Sequence, residues 1–317
     1  MFKRELFNED HEAFRETVRR FIAREIAPHH EQWEADGVVP RDLWRKAGAA
    51  GLLCCTVPEE YGGAGADYLF DVVVFEEMAR SGFTGPGFMI HCDLVATYIA
   101  SFGSEAQKRQ WLPKMVQGEA IGSLGMTEPH AGSDLKAIRT KAVRVHDGKG
   151  DHYLINGQKV FISNGQLCDL IVLATKTDTE AGAKGVTLFL VDTSLPGFRR
   201  GKNLRKIGMK AQDTSELYFD DLRVPASAML GEEGKGFELM MTKLAQERLA
   251  QTIRSAMVAE TVIDYTVEYT AQRKAFGTTI GEMQATQFKL AELKTEAVIG
   301  RQFTDKCIAN FMKGELD

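Results

Sequence analysis

Apolar positions recur at helical spacing from Asp10 to about Gly118. In "DHEAFRETVRRFIAREIAPHHEQWEADG", Phe14, Val18, Phe21, Ile22 and Ile26 share one stripe, and the pattern ends near Pro28. "PRDLWRKAGAAGLL" predicts a shorter helix and "VPEEYGGAGAD" a loop, after which "YLFDVVVFEEMARSG" and "VATYIASFGSEAQKRQWLPKMVQG" resume the helical period. Near residue 120 the period drops to 2. "HYLINGQKVFIS" places Asn156-Gly157 between two alternating runs, which predicts a tight hairpin at that dipeptide. "DLIVLATKTD", "GVTLFLVDT" and "SELYFDDLRVP" read as further strands, and helix returns from Gly236 to about Arg273 and from about Met283 to Met312. The expected class is α+β: an N-terminal helical domain over 1–120, a middle β-barrel or sandwich over 121–233, and a C-terminal helical bundle over 234–317 with its first two long helices only. Two such helices cannot cover each other on all sides, so a four-helix arrangement needs two more partners.

Composition narrows the function classes. The 317 residues are 44% hydrophobic and 26% charged, ordinary for a globular protein. A net charge of -5 and a pI near 5.9 leave no broad basic face for a nucleic acid. The N-terminus "MFKRELFNEDHEAFRETVRR" is charged throughout, and no segment approaches ~18 apolar residues, so the expectation is a soluble intracellular chain, bacterial cytoplasm before organelle matrix. Cys54, Cys55, Cys92, Cys168 and Cys307 fit neither a disulfide framework nor a ligand spacing, and His29-His30 has no partner at metal spacing. No metal is expected.

Within "MTKLAQERLAQTIRSAMV", Glu247 falls on the helical stripe of Met240, Leu244, Val258 and Tyr265, whereas Arg248 turns away. An unpaired buried carboxylate costs several kcal/mol or raises its pKa, so Glu247 is either compensated, by Arg254 or Arg248, or used. "LGMTEPHAGSD" offers Thr127, Gly132 and Ser133 to an anion, or is an ordinary polar turn. "VFISNG" is a strand end and turn, or an aromatic-hydroxyl wall beside a ring, and only a link between these two segments would favour the second reading. No Rossmann or P-loop signature occurs, and "GEEGKGFE" reads as a loop-to-helix junction. In "QRKAFG", Arg273 and Lys274 offset a helix dipole, or Arg273 meets a pyrophosphate while Phe276 packs on a ring.

Taken together and in order, "TEPHAGSD", "NGQKVFISNG", "GKGFELMM", "QERL", "QRKAFG" and "LAELKT" resemble the acyl-CoA dehydrogenase family, most closely its long-chain type, over the chain from about residue 4 to its end. The resemblance implies non-covalent FAD, conversion of acyl-CoA thioesters to trans-2-enoyl-CoA in fatty-acid β-oxidation, and electron-transferring flavoprotein as acceptor. It implies that the stretch from Leu124 to Ser133 lines the flavin, with Met126 and Thr127 near the isoalloxazine, Gly132 in the same loop, and Ser133 shared with CoA. Phe161, Ile162 and Ser163 match an aromatic–Ile–hydroxyl triplet on the flavin's other side, and Arg273, Phe276 and Gln284 match positions that contact the FAD of a neighbouring subunit in a homotetramer. Glu247 matches the base that removes the α-proton while the β-hydrogen leaves as hydride, with Ala245, Gln246 and Arg248 beside the substrate. The family's chain continues past residue 317, so this chain is expected to be a fragment. The alternatives are an isovaleryl-type dehydrogenase, an acyl-CoA oxidase, or a non-catalytic assembly protein of the same fold.

Overall fold

The computed structural model describes residues 4–148 and 150–316; the outermost ends of the first and last expected domains, residues 1–3 and 317, lie outside them. In chain order the helices of the first part are α1 (Glu9–Phe21), α2 (His30–Asp36), α3 (Arg41–Ala49), α4 (Tyr68–Ser81), α5 (Thr97–Phe102) and α6 (Glu105–Val116). Strands follow: β1 (Gly122–Gly125), β2 (Lys141–Asp147), β3 (Gly150–Ser163), β4 (Leu170–Lys176), β5 (Val186–Asp192), β6 (Phe198–Asn203), β7 (Thr214–Pro225) and β8 (Met229–Leu230). The chain then runs through α7 (Gly236–Gln272), the two short strands β9 (Lys274–Ala275) and β10 (Thr278–Thr279), and α8 (Gln284–Met312). Among the described residues no helix is long and apolar enough to cross a membrane.

Contacts divide the chain into two compact units. One holds Arg20–Asp71 and Phe83–Leu244. Its sheet runs β6-β7-β3-β2-β4-β5-β8, with β1 parallel to β4, and all seven residues of β4 are buried, the apolar run Leu170–Ala174 followed by Thr175 and Lys176. Tyr153, Ile155, Ile171, Leu173, Phe189 and Phe219 build the core on it. On the helical side, Ser104 and Gln107 close a capping box at the start of α6, and Gln107 Nε2 also donates to Ser227 O and Met229 O, which fixes that helix to the approach to β8.

The hairpin expected at Asn156-Gly157 is not there. β3 continues straight through the dipeptide, pairing with β2 from Lys141↔Asn156 to Asp147↔Gly150, so the two strands are joined after Asp147 and not at Asn156-Gly157. Asn156-Gly157 lies opposite a bulge in β7, where the register steps from Ile155↔Leu222 to Gly157↔Phe219. The Asn156 amide bonds Asp221 through both side-chain carboxylate and backbone N–H (2.9 and 2.8 Å), and Gly157 takes φ 153°, where a Cβ would lie 2.5 Å from Thr140 Oγ1. The dipeptide that favours a turn also suits a bulge, because both need a backbone geometry that only glycine adopts cheaply.

The second unit takes the residues up to Arg19, Val72–Gly82 and the chain from Ala245. Within its apolar interior sits an ionic cluster: Glu76, fully buried, accepts from Arg4, Arg15 and Arg301, while Glu77 accepts from Arg15 and Arg19 and Asp305 from Arg4. The stripe predicted for α7 is displaced. Its buried face runs through Leu249, Ala250, Ile253 and Met257, whereas Val258 and Tyr265 are 39% and 57% exposed. Helical periodicity locates an apolar band but not which edge of the band meets a neighbour; here Arg301 of α8 lies against Met257, Nη2 to Sδ at 3.5 Å, and sets the covered edge.

Candidate active site

The two segments that sequence alone left unlinked are stitched together. After β1 ends at Gly125, Lys159 Nζ donates to Met126 O (2.9 Å) and to Glu128 Oε1 (2.8 Å), the Val160 N–H donates to Thr127 O (3.0 Å), and the Glu128 N–H donates to Ala131 O (2.8 Å). Ser123 Oγ adds a bond to Ser163 O (2.7 Å). Loop 126–131 is thus laid against the end of β3 by consecutive backbone groups. Among the described residues, the Thr127 N–H has no protein acceptor. A trans peptide points its C=O and N–H in opposite directions, so with Met126 O held by Lys159 this N–H faces away from the lysine.

A bulge in β3 sets the other wall. The register steps from Lys159↔Leu217 to Ile162↔Ser215, so Val160 and Phe161 oppose a single residue of β7. The extra residue lets Lys159, Val160 and Ile162 all turn inward while Phe161, at φ 61°, is thrown out with 66% of its surface exposed. Ile162 packs in the sheet core with Ile155, Leu217 and Phe219. Next along, buried Asn164 donates to Gly87 O and Gly122 O, a structural clamp. Ser133 and Gly132 are exposed, and Leu124 and Ser163 half-buried.

Lys159 and Glu128 are the residues that sequence reasoning missed. Both are buried, and Glu128 also accepts from the N–H groups of Arg139 (2.6 Å) and Thr140 (3.0 Å). Burial pulls Lys159 down to about 8 despite the attraction of Glu128. Burial alone would raise Glu128, but the charge and hydrogen bond of Lys159, with those backbone donors, hold it below the usual carboxylate range. The signal was a lysine on the same strand face as Ile155 in "INGQKVF", a position that pattern reading assigns to solvent by residue type alone.

Glu247 is half-buried on α7, beside buried Gln246, with Ala245 half-buried and Arg248 exposed. Arg273 ends α7 with its N–H on Tyr269 O (2.9 Å). The β9–β10 hairpin follows, pairing Ala275 with Thr278 around Phe276 and Gly277, both at positive φ as a two-residue primed turn requires. Phe276 is 98% exposed there, and Arg273 and Gln284 are exposed too.

One convergence was invisible in the spacing: the side chains of Cys54, His91 and Cys92 bring their donor atoms within 4.8 Å of one another. The imidazole is committed to the backbone, accepting from the Gly122 N–H at Nδ1 (3.0 Å) and therefore protonated at Nε2, which faces Met115 O (3.0 Å). Neither ring nitrogen keeps a lone pair for a metal. Burial holds His91 neutral, its pKa pulled down to about 4.

Comparison with known proteins bears on the whole chain. Residues 8–119, 123–222 and 234–317 match, in order, the N-terminal, middle and C-terminal domains of acyl-CoA dehydrogenase. The long-chain specific acyl-CoA dehydrogenase of Rattus norvegicus is 48% identical over 307 residues, covering 96% of this chain and 70% of that protein. The isovaleryl-CoA dehydrogenase of Oryza sativa subsp. japonica is 38% identical, covering 98% and 76%. The crystal structure of acyl-CoA dehydrogenase from Geobacillus kaustophilus superposes with a TM-score of 0.95 at 47% identity, over 99% of this chain and 82% of that one. Three consecutive domain matches on the helix–sheet–helix order described above leave one assignment: the chain belongs to the acyl-CoA dehydrogenase family of FAD-dependent oxidoreductases.

Proposed function

We propose that this protein desaturates long-chain fatty acyl-CoA to trans-2-enoyl-CoA, with Glu247 as the base. The observation that carries the cofactor half of this reading is the stitched loop and strand. A flavin needs hydrogen-bond donors along its carbonyl edge and an apolar partner for its face, and the unpaired Thr127 N–H, the hydroxyls of Thr127, Ser133 and Ser163, and the protruding Phe161 supply both kinds of group. Leu124, Met126 and Gly132 complete the cradle, while Ile162 supports it from the core. Bound there, FAD would supply the hydride acceptor for the β-hydrogen.

Glu247 removes the proton on the other carbon. A thioester α-proton is weakly acidic, so its base works best partly shielded from water, and the half-burial of Glu247 on α7 suits that role. Ala245, Gln246 and Ser133 contact the substrate, and exposed Arg248 offers a cation to the phosphates of CoA. Phe276 supports a further step: a bulky residue in the left-handed region with nearly all its surface exposed is costly unless it seats on something, and we assign Arg273, Phe276 and Gln284 to the FAD of a neighbouring subunit in a homotetramer. Electron-transferring flavoprotein then reoxidises the enzyme.

The test is an anaerobic titration of the FAD-loaded protein with straight-chain acyl-CoAs from butyryl to palmitoyl and with isovaleryl-CoA. Strongest bleaching of the flavin band with palmitoyl-CoA is expected. Preference for isovaleryl-CoA would overturn the chain-length assignment, rapid peroxide formation under air would make the enzyme an oxidase, and a flavin that no thioester bleaches would make the protein a scaffold.

A further inference from the structure

We infer that the buried Lys159–Glu128 pair is a positioning device for the cofactor: it fixes the Met126–Thr127 peptide so that the Thr127 N–H is presented as a preoriented donor to the flavin. The inference rests on the reading of loop 124–133 as part of the FAD site.

A buried ion pair is weak evidence for stability, because apolar residues of the same volume serve as well or better. What this pair supplies that an apolar pair cannot is directional hold on one peptide group. Lys159 takes Met126 O, Val160 takes Thr127 O, and Ala131 takes the Glu128 N–H. The far end is anchored because Glu128 accepts from the Arg139 and Thr140 N–H groups. Of the polar backbone groups from Met126 O to the Glu128 N–H, the Thr127 N–H alone is left over, and it belongs to the same peptide that the lysine holds. A cationic donor on a carbonyl also polarises the peptide, which makes its N–H a stronger donor. Lys159 and Glu128 touch neither substrate nor reacting atoms in this scheme, so they are positioning residues.

The experiment compares the wild-type chain with Lys159→Met/Glu128→Gln and with Glu128→Gln, each saturated with FAD, reading the flavin absorption band, the two-electron potential and the urea midpoint. The double variant removes both charges at nearly constant volume and is expected to fold. Its flavin band should shift, and its reduction equilibrium should move about tenfold toward the oxidised form, roughly 30 mV for a two-electron couple. Glu128→Gln leaves the buried lysine without its anion and favours the neutral amine, so it should shift band and potential in the same direction as the double variant. A merely structural pair would lower the urea midpoint and leave band and potential alone.

A second measurement needs no variant. Among the described residues Glu128 is the charged group that acts on Lys159, with His130 facing that carboxylate at 3.5 Å, so the wild-type band should move as pH rises through about 8, where the ammonium is lost. Wild-type band and potential in the double variant, or a wild-type band unmoved across that pH range, would overturn the positioning role and leave the FAD site standing. A wild-type chain that binds no flavin would overturn the site itself and the inference with it.

Discussion

A lysine with no exposed surface holds its place only while its carboxylate partner is present. Removing one member strands the other in an apolar site, which typically costs about 3–5 kcal/mol. Lys159→Met alone should therefore lower the unfolding free energy by that order in urea titrations, and adding Glu128→Gln should recover part of it. His91 and Asp71 make a second residue-scale case, for the two titrate in opposite senses. Burial pulls His91 down to about 4, so its contribution is intact above the ordinary histidine value and is lost as pH falls toward 4. Burial pushes Asp71 up to about 6, so its contribution is full at low pH and is lost as pH rises through 6. Each is worth roughly 3 kcal/mol at most across its window. Wild-type stability should change little between pH 6.5 and 4 on their account, whereas Asp71→Asn should lose stability steeply over the same range in pH-stepped urea melts. None of these residues was legible in the chain: a buried lysine or histidine looks like any other until its partners are in place, and Cys54 is far from His91 in sequence.

Periodicity found the elements and misjudged their details. α7 and α8 begin and end within a residue of the expected bounds, because a 37-residue and a 29-residue helix give period 3.6 many turns in which to declare itself. Asn156-Gly157 misled because a dipeptide cannot reveal whether its unusual backbone serves a turn or faces a bulge. Gly157→Ala should cost about 1–3 kcal/mol in urea melts through both φ and the clash with Thr140, and because Thr140 Cα itself would lie 2.7 Å from the new Cβ, Thr140→Ser should not recover the loss. In the β9–β10 hairpin the expected sign is opposite. Phe276→Gly relieves a left-handed phenylalanine and should stabilise the hairpin by about 1 kcal/mol in thermal melts of the FAD-free protein, while FAD retention on gel filtration falls. Unchanged FAD retention would count against a role for Phe276 at a neighbour's cofactor.

On the scale of the whole molecule, the order of helical, β and helical regions was plain in the sequence, and the family matches fall on that order. Which edge of a long helix is covered was not plain, since that depends on what packs against it. Val262, Tyr265 and Tyr269 of α7 and Phe288, Ile299 and Phe303 of α8 are all exposed, more apolar surface than a solitary subunit carries comfortably. Sedimentation velocity should accordingly show concentration-dependent self-association, and a strictly monomeric species at high concentration would contradict the tetramer. The central claim is that Glu247 removes the α-proton, and it is tested most directly by anaerobic mixing of palmitoyl-CoA with FAD-loaded wild type and Glu247→Gln side by side. Bound flavin in both proteins, bleached in the wild type and unbleached in the variant, is the predicted result; bleaching of the variant at a rate near wild type would contradict it.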